Sequence, residues 1–407
     1  MSYTPPQEIL ERYADVLVSY GLGQGRGVQA GEVVGLRIAE DAKPLLLEIA
    51  KAVWRAGGHL LTEFVPADDG HWNMGRAFYE LASEEQLAYF PDAWVKTWFA
   101  SIDHYLMVRA TRDPQALAGV APEKVMAHQK AWGPQLKHRF DKVNAGALSW
   151  SLAEYGTAAL AAEAGMSLEE YWNQIISACY LDEPDPVARL RETGARIHAT
   201  VDWLNGLDID RLHVEAPDTD LWLTLGEGRR WIGGDTENIP SFEIFTSPDW
   251  RGTEGHISFS EPLYRNGAIM EGIRLRFEAG RVVEASATRG DAQIKALVAA
   301  DAGAAQIGEY SLTDGRVSRI TRFMATTLYD ENRGGPAGNT HLAVGSAYRD
   351  TYTGDVANTT DEQFAALGFN ESSIHVDIIS TSDRTVTATL RDGSEQVIYA
   401  GGQFQND

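Results

Sequence analysis

One cysteine in 407 residues, Cys179, excludes an intrachain disulfide and any zinc site built from several thiolates. Basic residues are scarce as well: 35 Lys and Arg against 58 Asp and Glu give a net charge of −23, which repels nucleic acid and anionic membrane surfaces alike. So acidic a chain would welcome a cationic ligand, but the same excess serves solubility or salt adaptation, so the charge only permits that reading. No stretch approaches about 18 uninterrupted apolar residues, and the opening MSYTPPQEILERYADVL has no basic region ahead of an apolar core. These absences predict a cytoplasmic protein that engages neither membrane nor nucleic acid. Two enzyme signatures are also missing. No Gly-rich phosphate loop follows the first predicted strand, and no G-x-S-x-G elbow occurs, so neither nucleotide binding nor a serine nucleophile is indicated.

What is present is apolar sequence, 44% of the residues, enough to bury two domain-sized cores. The first half alternates strand and helix signals. Val33–Ile38 reads as a strand, and residues 42–56 as a helix with Leu46, Ile49, Ala50 and Val53 on one face; Gly57-Gly58 stops it, and His59–Val65 reads as a second strand. A β-α-β unit of this kind favours a parallel sheet. His104–Ala110 reads as another strand, Asp113-Pro114 as an N-cap and first-turn pair, and Ser167-Leu168-Glu169-Glu170 as a capping box opening the helix of Tyr171, Trp172, Ile175 and Ile176. After a break at LDEPDPVARL, residues 181–190, an Arg-rich helix runs to about Asn205. Beyond it the texture changes to short strands and hairpins, among them Ile273–Phe277 with Val282–Ala287 and Val386–Leu390 with Gln396–Tyr399. The expected architecture is α/β: an N-terminal α/β domain with a mostly parallel sheet, residues 1–205, and a C-terminal mixed, strand-rich catalytic domain, residues 206–407.

The chemistry concentrates in the last part of the chain, where Glu243, Glu309, His341, His375 and Asp377 sit in separate segments. Hard divalent ions take carboxylate oxygens and imidazole nitrogens, and one carboxylate can be shared by two ions, so this is the residue set a two-metal hydrolytic site requires. Ser373–Ile379 reads as a buried strand on which His375 and Asp377, two apart, project side by side. His341 follows the loop DENRGGPAGNT, residues 330–340, and opens a segment read as helical, which sets His341, Gly345 and Tyr348 on one face. Glu243 lies among Phe242, Ile244 and Phe245: a carboxylate buried there needs a cation, whereas on a half-exposed strand it faces water. Glu309 follows Gly308, which permits close backbone approach to an ion. Trp250–Gly255 reads as a glycine turn or a substrate-side loop, and histidines 59, 71, 104, 128, 138, 198, 213 and 256 have no metal spacing.

The series NIPSFEIFTSP, AQIGEYSL, LYDEN followed by GNTHLAVGSAY, and ESSIHVD resembles the aminopeptidase T and aminopeptidase S family, a group of two-metal exopeptidases. The resemblance implies Glu243, Glu309, His341, His375 and Asp377 as ligands of two divalent ions (zinc, cobalt or manganese). It further implies that Glu309 bridges the ions and acts in catalysis, and that Tyr348 stands next to the reacting carbonyl. Peptides with a free N-terminus are the implied substrates, and a homodimer the implied assembly. One departure is Phe242, where members of the family commonly carry glycine. Two histidines and one carboxylate, here His341, His375 and Asp377, also make the facial triad of mononuclear Fe(II) oxygenases. Ring-cleaving dihydroxypyridine dioxygenases are similar in sequence to this family, so that reading stands as the alternative.

Overall fold

A computed structural model describes residues 3–233, 236–265 and 268–406. Two compact units emerge from the backbone contacts. One comprises Met1–Glu192, Asp235–Ser241 and Met324–Leu328; the other comprises Thr193–Gly234, Phe242–Phe323 and Tyr329–Asp407. The division falls within the helix Pro186–Gly206, upstream of the change in sequence texture at residue 205, and two short later segments return to the first unit.

The first unit is built on a parallel sheet of β1 (Val33–Ala39), β2 (His59–Val65), β3 (His104–Arg109) and β4 (Ser149–Glu154), in the order β2-β1-β3-β4, with Asn238–Ile239 added beside β4. Between β1 and β2 runs the helix Lys43–Arg55, so the β-α-β unit and its parallel pairing are as the sequence pattern predicts. Of the predicted face Ile49, Ala50 and Val53 are buried, joined by Leu45 and Ala52, while Leu46 is only half-buried. Ser167 caps the helix Leu168–Ala178 through the expected reciprocal bonds with Glu170. Asp113-Pro114, however, starts no helix. Asp113 Oδ1 instead accepts from the Gln115 N–H at 2.9 Å, closing a local turn, and the next helix begins at Pro122. A short acceptor side chain serves either end, and the residues after it decide which.

The second unit is strand-rich, and every strand pair in its two larger sheets is antiparallel. Its larger sheet runs Arg281–Ser286, Arg274–Glu278, Asp249–Ser258, Thr219–Thr224, Ile209–Ala216, Thr385–Leu390, Glu395–Ala400 and Gln403–Phe404. Trp250–Gly255 is therefore neither a glycine turn nor a substrate-side loop but part of a ten-residue strand, bulged between Asp249 and Glu254. The smaller sheet has five strands in the order His375–Ser380, Asn339–Gly345, Ile307–Thr313, Glu243–Thr246 and Ile232–Gly233. The segment read as a helix at His341 is the second of these strands. Its run Leu342-Ala343-Val344 is buried throughout, and a short apolar run of that kind suits a strand paired on both sides.

Candidate metal centre

Register in the smaller sheet collects the chemistry. Thr313 faces Glu243, Ser311 faces both Phe245 and His341, Glu309 faces Ala343, Asp377 faces Ala343 from the other side, and His375 faces Gly345. Paired residues share a face, and so do residues two apart, so Glu243, Glu309, His341, His375 and Asp377 all project from one side of the sheet. The register shifts between Ile307 and Glu309, and Gly308 makes this possible. A Cβ on Gly308 would lie 2.3 Å from the Ser346 carbonyl oxygen and 2.6 Å from that of Gly345. The close approach this glycine permits here is to backbone carbonyls.

Glu243 is buried, so the outward-facing alternative for it falls away. His341 Nε2 lies 3.0 Å from Glu309 Oε1 and 3.3 Å from Glu243 Oε2; His375 Nε2 lies 3.1 Å from Glu309 Oε2 and 3.2 Å from Asp377 Oδ1. Two ligand groups result, Glu243–Glu309–His341 and Glu309–His375–Asp377, with the donor atoms of each within 4.8 Å of one another and Glu309 common to both.

Two details fit a cation in this place. The ring of His375 is oriented by Nδ1, 2.7 Å from the Ser346 carbonyl oxygen, so in its neutral form Nδ1 carries the proton and the Nε2 lone pair points toward the carboxylates. Despite their proximity, His375 Nε2 and Asp377 Oδ1 are buried atoms without a hydrogen bond to any described residue, a costly arrangement unless a third species lies between them.

The charge balance points the same way. Burial opposes a charge on His341, yet the hydrogen bond it donates to Glu309 and the charges of Glu309, Glu243 and Asp377 outweigh it and raise the imidazole to about 10. His375 is likewise pushed far up, burial being overcome by Asp377 and Glu309. Correspondingly Glu309 is lowered against its burial by both imidazoles, and Asp377 falls to about 2 beside His375. Protons on the two histidines balance carboxylate charge that a divalent cation could balance in their place.

A further carboxylate, missed in the sequence, belongs to this region. Glu331 is buried, and its pKa is driven well up by burial and then by the charges of Glu243, Asp377 and Glu309. Its segment is pinned from both sides: the Phe242 N–H donates to Asn332 Oδ1 at 2.5 Å, Asn339 Nδ2 donates to the Asp330 carbonyl at 2.6 Å, and the Thr313 hydroxyl donates to that of Glu331 at 3.3 Å. Its available signal was the LYDEN motif feeding the His341 strand. Phe242 itself is buried in the core. Tyr348 stands over the site, its ring 4.7 Å from that of His375 and 5.4 Å from that of Phe245, and its N–H is fixed by Ser247 Oγ at 2.9 Å. Burial and then the carboxylates of Glu309 and Asp377 keep its hydroxyl protonated.

A strand-rich unit that gathers carboxylates and imidazoles on one sheet face defines a protein equipped to hold divalent cations. The profile of the thermophilic metalloprotease family (M29) matches residues 6–404, and the chain belongs to that family. It is 32% identical over 418 residues to aminopeptidase PepS of Streptococcus thermophilus, covering 98% of each chain, and 30% identical to aminopeptidase T of Thermus thermophilus, covering 97% and 98%. The solved structure of wild-type AmpT from Thermus thermophilus superimposes with a TM-score of 0.83 at 27% identity, over 98% of this chain and 99% of that one. The 2,5-dihydroxypyridine dioxygenase of Pseudomonas putida has a TM-score of 0.52 at 12% identity, over 98% and 97% of the chains, a likeness of fold alone.

Proposed function

We propose that this chain is an aminopeptidase that removes single residues from the free N-terminus of peptides with the help of two divalent ions. The observation that carries the reading is the pair of ligand groups joined at Glu309. Glu243, Glu309 and His341 would hold one ion, and Glu309, His375 and Asp377 the other; these oxygen and imidazole donors suit zinc, cobalt or manganese. Such ions, when bound, lower the pKa of a water and polarise the scissile carbonyl.

The chain's own groups supply the rest. Glu309 is committed to both ligand groups and held down by two imidazoles, which makes it a poor proton acceptor. Glu331 belongs to neither group yet is buried beside them, the position from which a carboxylate takes a proton from water and passes it to the leaving amine. Tyr348, whose hydroxyl stays protonated, donates to the oxyanion of the tetrahedral intermediate. The acidic surroundings favour the substrate's α-ammonium group. We assign the protein to the cytoplasm as a homodimer, on its single cysteine and on the family resemblance.

The rival dioxygenase reading requires His341, His375 and Asp377 around one ion. Among the described residues these three form no ligand group; the two histidines divide between the groups, and each group contains a glutamate. A time course by mass spectrometry on matched free and N-acetylated peptides tests the proposal. Stepwise loss of single residues from the free peptide, with the acetylated one inert, is the expected result. Equal cleavage of both, or internal cuts before the first residue is lost, would rule it out. A metal content that levels off at one iron, with oxygen consumed on a dihydroxypyridine, would favour the rival.

A further inference from the structure

The two ligand groups are not held alike by the sheet. The strand His375–Ser380 pairs with Asn339–Gly345 on one side and, among the described residues, with no strand on the other. Two of the three members of the group Glu309–His375–Asp377 stand at its start, His375 as its first residue. The strands that carry Glu243, Glu309 and His341 are each paired on both sides. An edge strand frays at its ends unless something outside the ladder holds it.

What holds this one is a carboxylate that belongs to neither group. Asp301 lies in the loop between the helix Asp291–Val298 and the strand Ile307–Thr313, which carries Glu309. Its Oδ2 accepts from the Ser373 N–H at 2.6 Å and the Ser373 hydroxyl at 2.5 Å, while Oδ1 accepts from the Gly303 and Ala304 N–H groups, each at 2.9 Å. The Ser372 hydroxyl donates to Oδ1 at 2.9 Å and accepts from the Ile374 N–H at 3.2 Å, so the bonds reach the residue before His375. Asn370, 5% exposed, ties in the strand between: its Nδ2 donates to the Gly303 carbonyl at 2.8 Å and to the Gly345 carbonyl at 2.6 Å. Gly303 makes this approach possible, since a Cβ there would lie 2.0 Å from the Glu371 carbonyl oxygen. The clamp thus joins the entries of the Glu309 and His375 strands, which do not pair with each other.

We propose that Asp301 is a positioning residue for one ligand group only. Through Ser372 and Ser373 it holds the start of the edge strand so that His375 and Asp377 converge on Glu309, and it does nothing for Glu243–Glu309–His341. The inference rests on the two-ion reading above. Bonds to an ionised acceptor are the strong ones, and partners one layer out from metal ligands orient them; losing such a partner typically costs about 10- to 100-fold in metal affinity. Here that cost falls on one ion.

The test is calorimetric titration of the metal-free full chain with cobalt(II) in two single-site backgrounds. Asp377→Ala leaves only the group Glu243–Glu309–His341 complete, and Glu243→Ala leaves only Glu309–His375–Asp377. Asp301→Asn keeps the size of the side chain and removes one acceptor oxygen. It is expected to weaken cobalt binding by about 10- to 100-fold in the Glu243→Ala background and by less than about twofold in the Asp377→Ala background, where the sites are independent. Ser373→Ala, which removes one hydroxyl and leaves the backbone bond, is expected to show the same selectivity at smaller size. Equal weakening in both backgrounds makes Asp301 a support of the whole unit and overturns the proposal, as does weakening in neither or in Asp377→Ala alone. A background that itself binds two cobalt ions, or none, is a different failure: it strikes the ligand groups first and the role of Asp301 with them.

Discussion

Two histidines of this chain are buried to the same degree, each 2% exposed, and each lies beside a glutamate. His104, in the parallel sheet, has both nitrogens occupied: Nδ1 is 2.7 Å from Ser149 Oγ, and Nε2 is 2.7 Å from Glu32 Oε2. The second layer is complete too, because Ser149 accepts from the Gly23 N–H at 2.8 Å and Glu32 from Arg26 and from the Gln29 N–H. His341 contrasts with it. Its Nδ1 has no hydrogen-bond partner among the described residues, and around its Nε2 the carboxylates of Glu243, Glu309, Asp377 and Glu331 outnumber the imidazoles. A closed network fixes structure and asks for nothing more, whereas an acid-rich, incomplete one asks for cations.

The contrast breaks most visibly at Glu309. Glu309→Ala removes the carboxylate common to both ligand groups, so it is expected to lose at least one ion and to reduce turnover by more than about 10³-fold, beyond the loss of a single oxyanion donor. Metal content per chain and kcat, with circular dichroism as a check on the fold, decide it; near-normal activity with both ions retained would end the bridging assignment. Glu331→Gln sharpens the picture by separating chemistry from ligation. Both ions stay bound and kcat falls by about 10²- to 10⁴-fold, the usual worth of a positioned general base. If instead an ion is lost, Glu331 is a ligand and the base lies elsewhere.

Sequence and structure part company for identifiable reasons. His375 and Asp377 were legible because strand geometry alone puts residues two apart side by side, and β1 and β2 because apolar runs bounded by Gly57-Gly58 leave few alternatives. The joining of Glu243 and Glu309 was read from the resemblance, since nothing local to either residue says which strand it pairs with. The His341 strand was read as a helix because its apolar run has no alternation, and only the neighbours on both sides settle its conformation. Glu331 was passed over because its position depends on hydrogen bonds made by Asn332 and Asn339, partners that no spacing rule reveals. The returns of residues 235–241 and 324–328 to the first unit were hidden for the same reason.

Acid and alkali should separate the two regions in the metal-free chain. His341 is raised from 6.5 to about 10, so its contribution to stability is fully present below pH 6.5 and is lost as pH rises through about 10. Glu32 is lowered from 4.5 to about 2, burial being overcome by Arg26, His104 and the Gln29 N–H; its contribution is present above pH 4.5 and lost as pH falls through about 2. Denaturation midpoints across this range are expected to show an alkaline decline that metal loading flattens, because the ions replace the imidazole protons, and an acid decline that metal loading does not abolish. An alkaline decline unchanged by metal would detach His341 from the centre.

The smallest effect is expected where the network is already complete. Ser149→Ala removes one oxygen that serves both His104 Nδ1 and the Gly23 N–H, and leaves two partners inside the first unit without their bond. Losing a buried partner costs about 1–3 kcal/mol, so the denaturation midpoint falls measurably. Nothing in this network touches the ligand groups, so metal content, kcat and KM stay at their normal values. A drop in kcat without a drop in stability is the outcome that would reverse the comparison, since it would mean that the Ser149–His104–Glu32 chain takes part in the reaction rather than holding the parallel sheet together.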